Sequence, residues 1–317
     1  MSSPEGRRTY TVVGLGAIGG YYGARLAAAG FTVRFLARSG ADQVRRNGLL
    51  VESPQGEVRL RSVEVYDDPT LVPASDVVLL AVKTTDNGSV LGHLPELAGP
   101  GSVVVVMQNG LGVEEAIAAT VPESRVLGAM CFICSHKIGP GHVRHLDYGQ
   151  VTVGEYKPGA GPAGVTDAVR AVASDLEAAR VPVRTCEDLA EGRWRKLVWN
   201  IPFNGLSVLL DAGTDELMAD PDTRSLVEDL MWEVVGAARA CGHEIDDGFV
   251  ETMLRTTDAM TPYKTSMKLD FDAGRPLELD AIYAAPIRVA AGAGYAMPHT
   301  AVLYRQLRFL DQRPGRG

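Results

Sequence analysis

Six residues near the start of the chain, "GLGAIG" (Gly14 to Gly19), constrain its fold more than any other stretch. They follow an apolar, β-branched run, "TYTVV", and open "AIGGYYGARLAAAG", which predicts a helix closing at Gly30. A glycine turn between a strand and a helix is the context in which G-x-G-x-x-G binds a dinucleotide. Gly14 permits the tight turn, Gly16 lets the backbone approach a pyrophosphate, and Gly19 lets helix and strand pack closely. N–H groups at the helix start then meet the phosphates. Leu15, Ala17 and Ile18 therefore join the three glycines as cofactor-binding candidates. The competing reading is a turn that merely packs.

The end of the next strand, "FTVRFLAR", separates the two nicotinamide dinucleotides. An NAD site usually places an acid there for the ribose 2′-hydroxyl. This chain has Arg38 and Ser39 instead. A guanidinium can clamp a 2′-phosphate with two parallel hydrogen bonds, so the sequence predicts NADP(H). The alternative is an ordinary solvated arginine.

The runs "DVVLLAVKT" and "SVVVVMQNG" are apolar on both faces and alternate with helical segments, as buried parallel strands do. "VESPQGEVRLRSVEV" reads as a small hairpin insertion and "PGHVRHLDYGQVTVGE" as another hairpin. From about Asp188 the pattern is helical almost to the end, with Asp220-Pro221 a good helix start. The expected architecture is α/β: a Rossmann-type doubly wound sheet over residues 1–187, then an all-helical domain over residues 188–317. The 317 residues suit two domains. A net charge of -8, with no basic block, offers no footprint for nucleic acid. The apolar runs are too short to span a membrane, the N-terminus lacks a signal core, and a cytoplasmic protein is expected. The closing "RPGRG" reads as a frayed tail. Cys131 and Cys134 form a C-x-x-C, but no second pair completes a zinc site. The four cysteines are expected to be buried reduced thiols, and no metal is expected.

Within "KLVWNIPFNGLSVLL" three long polar residues, Lys196, Asn200 and Asn204, recur every fourth position. On a helix they share one face over about 12 Å. Burying that face without partners would be costly, whereas lining a solvated cleft would not. Pro202 cannot donate to the Val198 carbonyl and should kink the helix. Snorkelling by the lysine and loop capping by the asparagines is an equally good reading on spacing alone.

Taken together, these motifs resemble the ketopantoate reductase (2-dehydropantoate 2-reductase) family through nearly the whole chain. The matching elements are "GLGAIG", Arg38, "VKT" with Lys83, "QNG" with Asn109, "PGHVRH", "WRKLVWNIPFN" and "TSMKLDFDAGRPLELD". The resemblance implies that Lys196 is the general acid and that Asn200, Asn204 and Ser266 bind the 2-keto acid. It implies that Glu278 orients the substrate hydroxyl, that Lys83 and Asn109 line the cofactor, and that Arg38 goes with NADP. The implied reaction passes a hydride from nicotinamide to the C2 carbonyl while an ammonium stabilises the growing negative charge and delivers a proton. A lysine in an apolar cleft would give up its proton more easily. Without the resemblance, Glu278 reads as an acid in the first turn of a helix that starts at Pro276, and Ser266 as an N-cap. Asp270 and Asp280 read as structural.

The chain departs from the family pattern at Gly205, where proline is common, and at Leu277, where a hydroxyl is common. Where family members often carry a small polar-Gly pair after the "E-x-D" element, this chain reads "AIYAAPI", with Tyr283, Ala284 and Ala285; the bulky Tyr283 is expected to face the cleft, and Thr214 sits where a further asparagine can occur. The leading expectation is NADPH-dependent reduction of ketopantoate to (R)-pantoate, on the way to pantothenate and coenzyme A. The alternatives are a reductase of another 2-keto acid or ketone, and a non-catalytic NADP(H)-binding protein. The partner expected is a small molecule, and the helical part offers a surface on which a homodimer could form.

Overall fold

The computed structural model describes residues 7–159 and 161–313. The start of the polar N-terminus and most of the C-terminal tail lie outside the described residues. The chain divides into two compact units, Met1–Gln108 with Val113–Leu189, and Asn109–Gly112 with Ala190–Gly317. The short segment grouped with the second unit begins at the Asn109 of "QNG".

In the first unit the described residues form strands β1 (Thr9–Val13), β2 (Thr32–Leu36), β3 (Leu49–Glu52), β4 (Val58–Leu60), β5 (Glu64–Tyr66), β6 (Val77–Leu80), β7 (Val103–Val106), β8 (Arg125–Gly139), β9 (His142–Glu155) and β10 (Val183–Thr185). Helices α1 (Ala17–Ala28), α2 (Ala41–Asn47), α3 (Leu94–Ala98), α4 (Val113–Thr120) and α5 (Asp167–Ala178) alternate with them. The path β5-β2-β1-β6-β7-β8 is parallel throughout. This is the doubly wound Rossmann order. β9 then pairs antiparallel with β8, and β3 and β10 lie parallel to β9. All four residues of β6 are fully buried, so that strand is covered on both faces, as its continuous apolar run requires. Tyr22 and Leu26 of α1 and Val169, Val172 and Leu176 of α5 pack with Val12, Leu79 and Val105 of the sheet.

Two strand expectations need correction. The "VESPQGEVRLRSVEV" run is not a free-standing insertion. β3 and β4 do form an antiparallel hairpin, but β3 also extends the sheet beside β9, and the end of the run supplies β5 beside β2. "PGHVRHLDYGQVTVGE" holds the turn and second strand of a long hairpin whose first strand is β8. The C-x-x-C lies in β8, and all four thiols are free. Cys131 and Cys134 are buried, and burial pushes the Cys134 thiol up to about 12. Cys186 and Cys241 are only partly buried, because they sit at element ends.

The second unit is helical: α6 (Leu189–Leu209, its first residue in the first unit), α7 (Thr214–Ala219), α8 (Pro221–Ala240), α9 (Gly248–Asp258), α10 (Ser266–Asp272), a π-helical turn (Asp280–Ala284), α11 (Ala285–Gly292) and α12 (Pro298–Asp311). Asp220 caps α8 by accepting from the N–H groups of Asp222 and Thr223 at 3.1 and 2.9 Å. Such a cap stabilises a helix by about 1 kcal/mol. Leu197, Val198 and Ile201 of α6 pack with Leu230 and Val234 of α8 and Leu303 of α12. Each fully buried aliphatic side chain contributes roughly 1.5–3 kcal/mol, so Leu230→Ala would remove one of the main supports of this core.

Candidate active site

The glycine turn is built as the spacing requires. Gly14 has φ +102°, a conformation that disfavours side chains, and its N–H donates to the Leu36 carbonyl at 2.9 Å. A Cβ on Gly19 would collide with the Gly14 carbonyl and stand 2.9 Å from Val12 Cγ1. Gly16 is different: a Cβ there would meet nothing within 4 Å. Gly16 also caps α1 without a side chain, so no side-chain oxygen covers the first N–H groups of that helix. An open cradle beside uncapped N–H groups fits a phosphate-bearing cofactor.

Arg38 follows β2, and its side chain is 76% exposed. It pairs with Asp86 at 2.8 Å, in the 3-10 turn Thr84–Ser89 that follows Lys83. A cavity of about 400 Å³ lies beside it, lined by Arg38, Gly40, Gln43, Arg46 and the acids Asp42 and Asp67. Arg45 pairs with both acids, at 2.6 and 3.0 Å, and so offsets their charge. Lys83 is half-buried at the end of the β6 connection. Gln108, which the sequence reading passed over, braces that connection: its side-chain amide donates to the Val82 carbonyl at 3.1 Å and to Asn87 Oδ1 at 2.5 Å. Asn109 begins the Asn109–Gly112 segment of the helical unit. Gly110 there has φ +105°, and a Cβ on it would lie 2.6 Å from the Ala281 carbonyl carbon. The Leu111 N–H donates to the Ala281 carbonyl at 2.9 Å. The segment carrying Asn109 is thereby docked on the π turn that follows Glu278.

α6 runs unbroken through Pro202 and carries Lys196, Asn200 and Asn204. Lys196 is half-buried. Both asparagines are buried: Asn200 is 7% exposed and Asn204 2%. Asn204 Oδ1 is buried with no hydrogen-bond partner among the described residues. A buried carbonyl oxygen left unpaired costs about 1–3 kcal/mol, which a chain tolerates where a ligand will pair it.

Ser266 is the first residue of α10 and not its N-cap; Thr265 caps the helix, accepting from the Lys268 N–H at 3.2 Å. Thr265 Oγ1 also lies 2.8 Å from Ser207 Oγ, which donates to the Asn204 carbonyl at 3.2 Å. This chain joins the Asn204 turn of α6 to the residue before Ser266. Glu278 is 5% exposed and, with Pro276, precedes the next helical stretch, which begins at Leu279. Asp270 pairs with Arg275 at 2.9 Å, a structural role.

Tyr283 does not face a cleft. It is fully buried and donates to the Ile201 carbonyl at 2.9 Å. Burial pushes its phenol well above the ordinary range. Thr214 is likewise buried, its N–H and hydroxyl both donating to the Tyr263 carbonyl at 3.2 and 3.3 Å. Leu277 packs in the helical core. His145 accepts or donates at Ser53 Oγ, 2.8 Å away, and burial holds its pKa below the usual value. Among the described residues no cluster of three or more His, Cys, Asp or Glu side chains is placed to hold a metal, and no helix is long and apolar enough to cross a membrane.

A Rossmann-type sheet with an open glycine cradle, followed by a helical unit with a lysine–amide face, defines an oxidoreductase of the two-unit kind. Comparison with known proteins makes the class specific. The family model "Ketopantoate reductase PanE/ApbA" matches residues 10–158, and its C-terminal counterpart matches residues 188–311. A 2-dehydropantoate 2-reductase of Nostoc sp. is 49% identical over 306 residues, 96% of each chain. One from Mycobacterium tuberculosis is 31% identical over 96% of this chain and 98% of its own. The crystal structure of a 2-dehydropantoate 2-reductase from Geobacter metallireducens has a TM-score of 0.89 at 38% identity, covering 95% of this chain and 99% of that one. The chain belongs to the ketopantoate reductase family.

Proposed function

We propose that this protein reduces 2-dehydropantoate (ketopantoate) to (R)-pantoate with NADPH, as a cytoplasmic enzyme of pantothenate and coenzyme A biosynthesis. The observation that carries the reading is the α6 face: a lysine in line with two buried amides, one with its oxygen unpaired. Asn200, Asn204 and Ser266 bind the polar groups of the keto acid. Lys196 stabilises the negative charge growing on the C2 oxygen and delivers the proton that completes the alcohol. Glu278 orients the substrate hydroxyl.

NADPH supplies the reducing hydride when bound. The turn from Gly14 to Gly19, with Leu15, Ala17 and Ile18, holds its pyrophosphate; Lys83 and Asn109 line it. Arg38, exposed beside a cavity and without an acid at the end of β2, supports the 2′-phosphate and hence NADP over NAD. Exposed Trp232, Val302 and Phe309 on α8 and α12 support a homodimer as the assembly to test by sedimentation.

A different 2-keto acid is the second reading, suggested by the departures at Gly205 and Tyr283. Both residues pack against each other inside the helical unit, which removes the main reason to expect a reshaped substrate pocket. The test is product analysis: equimolar loss of NADPH and appearance of (R)-pantoate support the proposal, and NADPH loss only with another keto acid overturns it.

A further inference from the structure

The hydroxyl chain between α6 and α10 lies outside every role assigned so far. The Lys268 N–H can only donate, so Thr265 Oγ1 accepts there. The Asn204 carbonyl can only accept, and Ser207 Oγ lies within donating distance of it at 3.2 Å. The two hydroxyls lie 2.8 Å apart, and either can donate to the other. The result is one buried relay of contacts, Lys268 N–H, Thr265 Oγ1, Ser207 Oγ and Asn204 C=O, joining the start of α10 to the Asn204 turn of α6. Both hydroxyls are fully buried, so water does not substitute for either. Thr214 pins the Tyr263 carbonyl at the other end of the segment.

We propose that Ser207 and Thr265 are positioning residues: their relay fixes the Ser266 backbone relative to the Asn204 turn, and so sets the distance between two groups that grip the keto acid. This rests on the substrate reading above. A relay with no branch has no slack, because losing either hydroxyl leaves a buried polar partner unpaired and frees the start of α10. A merely structural pair would lower stability and leave substrate affinity in the folded enzyme unchanged.

The experiment compares Thr265→Val, which keeps the shape and loses the hydroxyl, with Thr265→Ser, which keeps the hydroxyl, and with Ser207→Ala. Steady-state constants are measured for ketopantoate and NADPH separately, beside wild type and Asn204→Ala. The inference predicts that Thr265→Val and Ser207→Ala raise KM for ketopantoate at least tenfold, that KM for NADPH stays within about twofold, and that Thr265→Ser stays near wild type. Unchanged ketopantoate KM in folded Thr265→Val and Ser207→Ala, with Asn204→Ala impaired, overturns the positioning role and leaves the substrate reading standing. No turnover of ketopantoate by wild type, or a neutral Asn204→Ala, overturns the substrate reading and this inference with it. Should Thr265→Val fail to fold, Ser207→Ala carries the decision.

Discussion

The Tyr283 hydroxyl stands 2.8 Å from where a Cβ on residue 205 would lie, so the glycine of α6 and the tyrosine of the π turn occupy one another's space. Leu303 Cδ2 closes the same spot from α12, at 2.6 Å. Gly205 weakens a helix interior by about 1 kcal/mol relative to alanine. Here that loss is offset by the Tyr283 ring and its hydrogen bond to the Ile201 carbonyl. Gly205→Ala should therefore lower unfolding free energy by about 1–3 kcal/mol despite the better helix propensity. Tyr283→Phe should lower it by about 1 kcal/mol. Urea unfolding of the double variant should show less than the sum of the two losses, since part of the clash disappears with the hydroxyl.

Alkaline stability follows from the same tyrosine. A phenol whose folded pKa is raised contributes stability that is complete below the unfolded value near 10 and is lost as pH rises past it. Tyr283, Tyr22 and Tyr10 are all raised, chiefly by burial. Unfolding free energy should fall from about pH 10 upward. The fall should be shallower in Tyr283→Phe, as measured by urea titrations at pH 8, 9.5 and 10.5; parallel curves would contradict the assignment.

Asn204 gives a prediction of opposite sign for stability and function. Replacing a buried amide whose oxygen is unpaired by an apolar side chain of similar size removes a desolvation cost of about 1–3 kcal/mol. Asn204→Leu should be as stable as wild type or more so by calorimetry, while KM for the keto acid rises at least about tenfold, the loss of one good hydrogen bond.

Arg38 and Gln108 should separate phosphate recognition from loop support. Arg38→Ala is expected to raise KM for NADPH about 10- to 100-fold and leave KM for NADH nearly unchanged, since only the contact to the 2′-phosphate is lost. Gln108→Ala unpairs the Val82 carbonyl and Asn87 in the connection that carries Lys83. It should weaken both dinucleotides alike, as titrated by fluorescence.

Much of this was legible before any coordinates. "GLGAIG" specified its own geometry because glycine roles are local, and β6 and β7 announced their burial through unbroken apolar runs. The stripe on α6 was legible because a four-residue spacing is helical arithmetic. What failed depended on long-range contacts. Ser207 and Thr265 are 58 residues apart, and no local pattern pairs them. Tyr283 was expected in a cleft because its bulk was visible and its partner Gly205 was not linked to it. Glu278 reads from the sequence as helical because Pro276 is a good first residue, but helical structure begins only at Leu279. Gln108 passed unnoticed because its task is to hold a loop more than twenty residues upstream.

The central claim is that Lys196 drives reduction of ketopantoate. The direct measurement is kcat/KM with NADPH for ketopantoate against a panel of other 2-keto acids, in wild type and in Lys196→Ala. The account predicts a clear preference for ketopantoate in wild type and a fall of about 10²–10⁴ in the variant, the range for losing a general acid. Lys196→Ala with wild-type kcat/KM, or a wild type that leaves ketopantoate untouched, would contradict it.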